Sequence, residues 1–199
     1  MIRHSPAAER NKAPILQALL ALLPAQGRML ELAAGSGQHA QHFISHLPGW
    51  SWLPSDPDPA AQASINALRL QGANPGLLPA LQLDVLAPDW PLTQSVDAIY
   101  CANMLHIAPW ACCAALMLGA ARWLAPQGQL ITYGPYLVDG EAIAPGNLAF
   151  DADLRARNAE WGLRWLHEVQ AQALAAGLQL RHDQAMPANN RLLVFGRAP

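Results

Sequence analysis

The stretch Leu30-Glu31-Leu32-Ala33-Ala34-Gly35-Ser36-Gly37-Gln38-His39 decides the fold. An apolar run carries one carboxylate, and four residues later a Gly-Ser-Gly turn opens a helical pattern. Strand, turn and helix in that order make the repeating unit of a parallel α/β sheet. The glycines let the backbone approach a bound ligand closely, and the start of the helix presents N–H groups with no intrahelical partner.

Two acids follow at useful spacings: Asp56, nineteen residues after Gly37, and Asp84, at the end of another apolar run. Both are expected at the carboxyl edge of the sheet, where open α/β folds bind ligands. The turn and the two acids together point to an adenosine-bearing cofactor.

Outward from that stretch, βα alternation continues. Ser5-Pro6 reads as an N-cap with proline at the first helical position, opening a short polar turn through Lys12. Pro14 is expected to start a second helix that Pro24 stops. Strands are predicted at about Arg28–Ala33, Trp50–Pro54, Leu77–Val85, Val96–Ala102 and Gln129–Tyr133. Helices are predicted at about Gln38–Leu47, Pro59–Gln71, Trp110–Leu124 and Asp151–Ala176, the last capped by Gly177. Leu178–Gln184 and Arg191–Gly196 are close enough in sequence to pair as an antiparallel hairpin. Residues 134–149 read as one long irregular loop, a length typical of lids and binding loops. The expected fold is α/β and Rossmann-like: a seven-stranded, mainly parallel sheet with a terminal antiparallel strand and helices on both faces.

The 199 residues suit one domain, 1–199, with a single core. Apolar residues make up 52% and charged ones 13%, a composition that excludes a disordered chain. The net charge of −2 and the lack of any Lys/Arg run argue against nucleic acid or an anionic membrane as partner. Leu16–Leu23 is too short to span a membrane, so a cytoplasmic protein is expected. Cys101, Cys112 and Cys113 have neither disulfide nor zinc spacing and read as buried free thiols. His39 and His42 lack a third ligand nearby, so no metal is expected.

With these residues in view, the chain resembles the class I methyltransferases that use S-adenosylmethionine (SAM). Glu31-x3-Gly35-x-Gly37 is similar to their glycine-rich first motif, and Asp56 and Asp84 fall where their second and third acidic positions belong. Ala33 departs from the many members with glycine there, while both glycines of the tight turn remain. More specifically, the chain resembles a family of small methyltransferase-like proteins with no settled substrate. That likeness is carried by Ser5–Lys12, Gly35–His39, Pro54-Ser55-Asp56, Asn103–Ile107, Gly134-Pro135-Tyr136, Asn158–Gly162 and Met186–Asn190, over essentially the full length.

The resemblance implies SAM as cofactor and S-adenosylhomocysteine (SAH) as product. Ala34, Gly35, Ser36 and Gly37 would wrap its methionine and ribose, and Asp56, or Asp58 in the same turn, would accept from the ribose hydroxyls. The alternative for Asp56 is a turn-capping acid. Asp84 would accept from the adenine amino group beside the Val85 backbone, or be a solvated strand-end acid. Glu31 would brace the turn or meet the ammonium of SAM, and Asn103 could serve the same ammonium. Arg10 and Asn11 belong to a helical lid segment, residues 1–24, that would close over the pocket or simply start a solvated helix.

On the acceptor side, His106 is the candidate base and Tyr136, with Tyr133, the candidate substrate contact; the alternatives are packing roles. Most of Trp110, Trp123, Trp161 and Trp165 are expected in the core, and Asn189-Asn190 as turn formers in the left-handed region, with substrate contacts as the alternative.

A small polar methyl acceptor is favoured, since no Asn/Asp-Pro-Pro-Tyr follows the fourth strand and no basic stripe is present. Two other readings compete. A SAM-binding sensor or partner subunit would keep the cofactor acids without catalysis. A nicotinamide-dependent oxidoreductase would use Gly35-Ser36-Gly37-Gln38-His39-Ala40 as its fingerprint, but no Tyr-x-x-x-Lys pair accompanies it.

Overall fold

The computed structural model describes residues 1–197. Seven strands form one sheet, the expected Rossmann-like arrangement, in the order β3 (Leu81–Gln82), β2 (Trp50–Asp56), β1 (Gly27–Leu32), β4 (Val96–Ala102), β5 (Leu124–Gly134), β9 (Asn190–Arg197), β8 (Leu178–Met186). The chain divides into two compact units, Met1–Tyr100 and the remainder from Cys101.

In the first unit, α1 (Pro6–Leu22) is capped by Ser5, whose hydroxyl accepts from Ala8 N at 3.2 Å. The expected break at Pro14 does not occur; proline sits inside one continuous helix. Ile15, Leu16, Ala18 and Leu19 are buried just beyond it, and that apolar face outweighs the one backbone bond a proline removes. β1 (Gly27–Leu32) pairs in parallel with β2 (Trp50–Asp56), in a register from Gly27↔Trp50 to Glu31↔Pro54. Between them lies α2 (Gln38–Ile44), and after β2 comes α3 (Pro59–Gly72).

The third strand is much shorter than expected: β3 is Leu81–Gln82, paired in parallel with Ser55 and Asp56. Pro79 cannot donate to a ladder, and Ala80 N is taken by the Asn66 side chain at 3.0 Å instead. β4 (Val96–Ala102) falls where predicted. The core of this unit is aromatic: Phe43, Trp52 and Tyr100 meet with centroids 5.5–6.0 Å apart and are fully buried.

In the second unit, a 3-10 turn (Leu105–Ile107) precedes α4 (Ala111–Trp123), and β5 (Leu124–Gly134) follows. The segment expected as one loop contains β6 (Tyr136–Leu137) and the start of α5 (Pro145–Arg157). The single helix expected over 151–176 is two. α5 ends where the Asn158 carboxamide accepts from Glu160 N at 2.9 Å, competing with the helical ladder. β7 (Arg164–Trp165) then pairs in parallel with β6, and α6 (Leu166–Ala175) follows. Leu137, Leu154 and Leu163 form a small separate core there, flanked by half-buried Trp161 and Trp165.

The terminal hairpin is as expected: β8 (Leu178–Met186) and β9 (Asn190–Arg197) are antiparallel, and β9 is also antiparallel to β5. Its turn is left-handed at Ala188 and Asn189 rather than at Asn189 and Asn190. Trp110, Trp123, Trp161 and Trp165, most of which were expected in the core, are all only half-buried; Trp50, Trp52 and Trp90 are the buried ones. All three cysteines are buried and unbridged. No helix among the described residues is long and apolar enough to cross a membrane.

Candidate functional site

The glycine turn leaves β1 with three left-handed residues in five: Ala33 (φ 51°), Gly35 (φ 56°) and Gly37 (φ 83°). At Gly37 a Cβ would lie 3.0 Å from Ile65 Cγ1 and 3.1 Å from its Cα, so any side chain there would press on Ile65. A Cβ at Gly35 would meet nothing nearer than Ala33 O at 3.9 Å, which leaves that side of the turn open. Ala34 and Ser36 are buried, and Ser36 O accepts from the Ser64 hydroxyl at 2.9 Å.

Asp56, at the end of β2, holds this turn. One carboxylate oxygen accepts from Gly35 N and the other from Asp58 N, both at 2.9 Å. Each oxygen keeps a second lone pair. Asp58 is committed elsewhere: it caps α3 through Ala60 N at 2.9 Å and pairs with Arg3 at 2.7 Å. Those backbone and Arg3 interactions hold its carboxyl below the ordinary range.

Glu31 is 2% exposed and accepts from Trp52 Nε1 at 2.7 Å. Burial, and secondarily the charge of Asp56, outweigh that hydrogen bond and push its carboxyl up to about 8. At neutral pH this group is a carboxylic acid. Asp84 is exposed, its side chain closing a turn onto Leu86 N at 2.9 Å, and the Val85 carbonyl accepts from Trp90 Nε1.

The N-terminal segment is stitched to the turn through Gln38 and to α3 through Ser64. Gln38 accepts from Ser5 N at 2.6 Å and donates to Glu9 at 3.0 Å, while Arg3 N donates to Ser64 at 2.8 Å. Arg10 is exposed and Asn11 half-buried, and neither side chain pairs with a carboxylate among the described residues.

In the second unit, Asn103 is left-handed (φ 57°) and its N–H donates to Tyr133 O at 2.8 Å, placing it at the end of β5. His106 follows on the 3-10 turn and is 6% exposed. Phe150 of α5 packs edge-on to the imidazole, with centroids 5.5 Å apart, and a Cβ at Gly134 would sit 3.4 Å from Nδ1. Burial, with the Arg164 guanidinium second, pushes the His106 imidazole down to about 4. Tyr136 is buried, and its hydroxyl donates to Thr132 Oγ1 at 2.8 Å; burial raises its phenol well above the usual range. Tyr133 is also buried, its phenol pushed up to about 12. Arg164 and Phe150 were missed from sequence: the helical pattern through 151–176 concealed Arg164, and Phe150 fell between the expected loop and the expected helix.

A seven-stranded sheet closed by an antiparallel strand, with a glycine turn after its first strand and an acid after its second, is the class I methyltransferase fold. The chain belongs to the family described as protein of unknown function DUF938, whose profile matches residues 2–197.

Among solved structures, the fold is similar to SAH-bound CalO1, a methyltransferase in calicheamicin biosynthesis (TM-score 0.81, 16% identity, 96% of this chain and 54% of that one). It is also similar to an O-methyltransferase family protein from Burkholderia thailandensis (0.81, 15%, 96% and 57%). A third likeness is to human N-acetylserotonin methyltransferase in complex with SAM (0.77, 16%, 97% and 53%). This chain spans just over half the length of each.

Proposed function

We propose that the protein is a SAM-dependent methyltransferase acting on a small polar molecule. The observation that carries this reading is Asp56: one buried carboxylate bridges the glycine turn and the start of α3 and retains acceptor capacity on both oxygens. The residues fit the cofactor in two further ways. The side of the turn at Gly35 is open. A buried, neutral Glu31 is the group that a cationic ligand would ionise.

In this reading Ala34–Gly37 follow the methionine and ribose, Asp56 takes the ribose hydroxyls, and Asp84 with Val85 meets the adenine. Glu31 and Asn103 serve the ammonium. Arg10 and Asn11, on a lid formed by residues 1–24 of a single domain, hold a carboxylate. The chemistry brought by the cofactor is a methyl group on a sulfonium sulfur, transferred by in-line displacement, so the protein chiefly orients and desolvates.

His106 is neutral at physiological pH and able to accept a proton. Taking one from a phenol of pKa about 10 is uphill by about six units, or about 8 kcal/mol. An acceptor whose nucleophile is itself acidic removes most of that cost. His106 therefore suits a small molecule with an ionisable acceptor group, and in this reading Tyr136 is a substrate contact. Full activity in His106→Asn would end the base role.

One observation favours the reading as a SAM-binding sensor or partner subunit: the Tyr136 hydroxyl is already spent on Thr132. Titration calorimetry separates these readings, using SAM, SAH, NADH and NADPH with wild type, Asp56→Asn and Glu31→Gln. Micromolar SAM binding is expected, weakened at least about tenfold by Asp56→Asn. Wild type should release close to one proton on binding SAM at pH 7, and Glu31→Gln none. Nicotinamide binding in place of SAM would overturn the assignment.

A further inference from the structure

We propose that the segment Asn158–Arg164 is a clamp that fixes the backbone of the His106 turn, with Arg164 as the positioning residue. The proposal rests on the reading of His106 as the acceptor-side base.

The turn at Leu105–Ile107 is a single 3-10 turn with no side-chain cap, too short to hold its own shape. Its carbonyls are instead taken one after another by donors from 56 to 59 residues downstream. Arg164 Nε donates to Leu105 O at 2.9 Å, Gly162 N to His106 O at 3.0 Å, and Arg164 Nη2 to Ala108 O at 2.7 Å. The same Nη2 donates to Glu160 O at 2.7 Å, tying the clamp to itself. The guanidinium also lies over the Trp110 ring, 5.4 Å from its centroid. One planar group thus bridges two carbonyls of the turn, a task for a rigid fork of donors that a lysine cannot perform.

The clamp is built for this delivery. Asn158 turns the chain by accepting from Glu160 N through its side chain and from Trp161 N through its carbonyl, at 2.9 and 3.0 Å. Asp151 receives Leu163 N on one oxygen at 2.7 Å and Arg155 Nε on the other at 2.8 Å. Gly162 has φ 146°, and a Cβ there would lie 2.7 Å from Arg155 Cζ and 2.9 Å from Asp151 Oδ1. Only glycine lets this N–H reach His106 O. The stretch Asn158–Gly162, left without a role by the cofactor reading, thereby acquires one.

Arg164 is also the charged group that acts on the imidazole, and Gly134 and Phe150, which lie against the ring, carry no charge. Arg155, Cys113, Asp151 and Glu168 act on Arg164 itself. Charge and geometry are therefore separable by substitution.

The test follows the ring resonances of His106 across pH by NMR, with His106→Asn for assignment, together with amide exchange at Ile107 and Gly162. Wild type, Arg164→Lys, Arg164→Gln and Gly162→Ala are compared as full chains. Arg164→Lys should leave the low titration midpoint in place and speed both amides by at least about tenfold. Arg164→Gln should do the same to the amides and raise the midpoint by about one unit. A folded Arg164→Gln with unchanged midpoint and exchange overturns the clamp, even if its melting temperature falls. Should Arg164→Gln fail to fold, unchanged exchange in Arg164→Lys overturns it equally. Failure of the base reading is seen separately, as full methyl transfer by His106→Asn with the clamp signals intact.

Discussion

The glycine turn after β1 is held by its neighbours within the same unit: Asp56 from the end of the adjacent strand and Ser64 from the helix that follows that strand. The His106 turn is held by donors from a break between two helices, more than fifty residues on in sequence. Each places a titratable group in its neutral form by burial, but with opposite consequences. Glu31 keeps a proton it would lose in water, and His106 lacks one it would gain in mild acid. Folding stability should therefore be limited by alkali through the first region and by acid through the second.

The largest test of that contrast is stability against pH. Glu31 has a folded pKa raised from 4.5 to about 8, so its contribution is fully present below 4.5 and is lost as pH rises through 8. At about 1.36 kcal/mol per unit the loss is on the order of 4–5 kcal/mol, as an upper bound. Glu31→Gln keeps an acceptor for Trp52 and should remove this alkaline limb in urea denaturation between pH 5 and 9.

His106, depressed from 6.5 to about 4, contributes stability above 6.5 that is lost as pH falls through 4, about 3 kcal/mol at most. His39, buried and likewise depressed to about 4, adds a second acid limb from the first unit. His106→Asn should thus flatten only part of the acid side, and a variant that flattened all of it would break the comparison.

Steric demand sharpens it next. Gly37→Ala combines a left-handed backbone with a Cβ pressed against Ile65, and should cost about 2–4 kcal/mol. Gly35→Ala carries the backbone cost alone, about 1 kcal/mol, because its Cβ enters open space. Denaturant midpoints of the two variants measure the difference. Equal losses would mean that the Gly35 side is not open, which would also weaken the case for a ligand there.

The same contrast explains what was legible in the sequence. The glycine turn, Asp56 and β4 were readable because their signals are local: two glycines, an acid closing an apolar run, and a β-rich segment. Ser5-Pro6 named the start of α1 for the same reason. Pro14 misled because a buried apolar face beyond it is a tertiary effect, invisible to a rule about one residue. The break at Asn158 misled more seriously. A helical pattern runs through it, and the helix ends where the Asn158 side chain takes Glu160 N and its carbonyl takes Trp161 N. Arg164 was lost with that break, since its role depends on carbonyls of residues 105 and 108. Likewise, no pattern in the chain announces that the Tyr136 hydroxyl faces Thr132.

The smallest expected effect lies at Ala33, a left-handed position beside the two glycines of the turn. Its φ of 51° puts a Cβ in a left-handed conformation that costs about 1 kcal/mol relative to glycine. Ala33→Gly relieves that strain but gives the unfolded chain more freedom, so the net gain should be about 0.5 kcal/mol. Because Ala34 N is already held by Ser55 O at 2.9 Å and Gly35 N by Asp56, the turn should keep its shape in the variant. SAM affinity should then stay within about twofold of wild type, the equivalent of roughly 0.4 kcal/mol. A large gain in affinity would instead mean that Ala33 holds the turn away from its binding geometry, and that Asp56 and Ser55 do not by themselves define it.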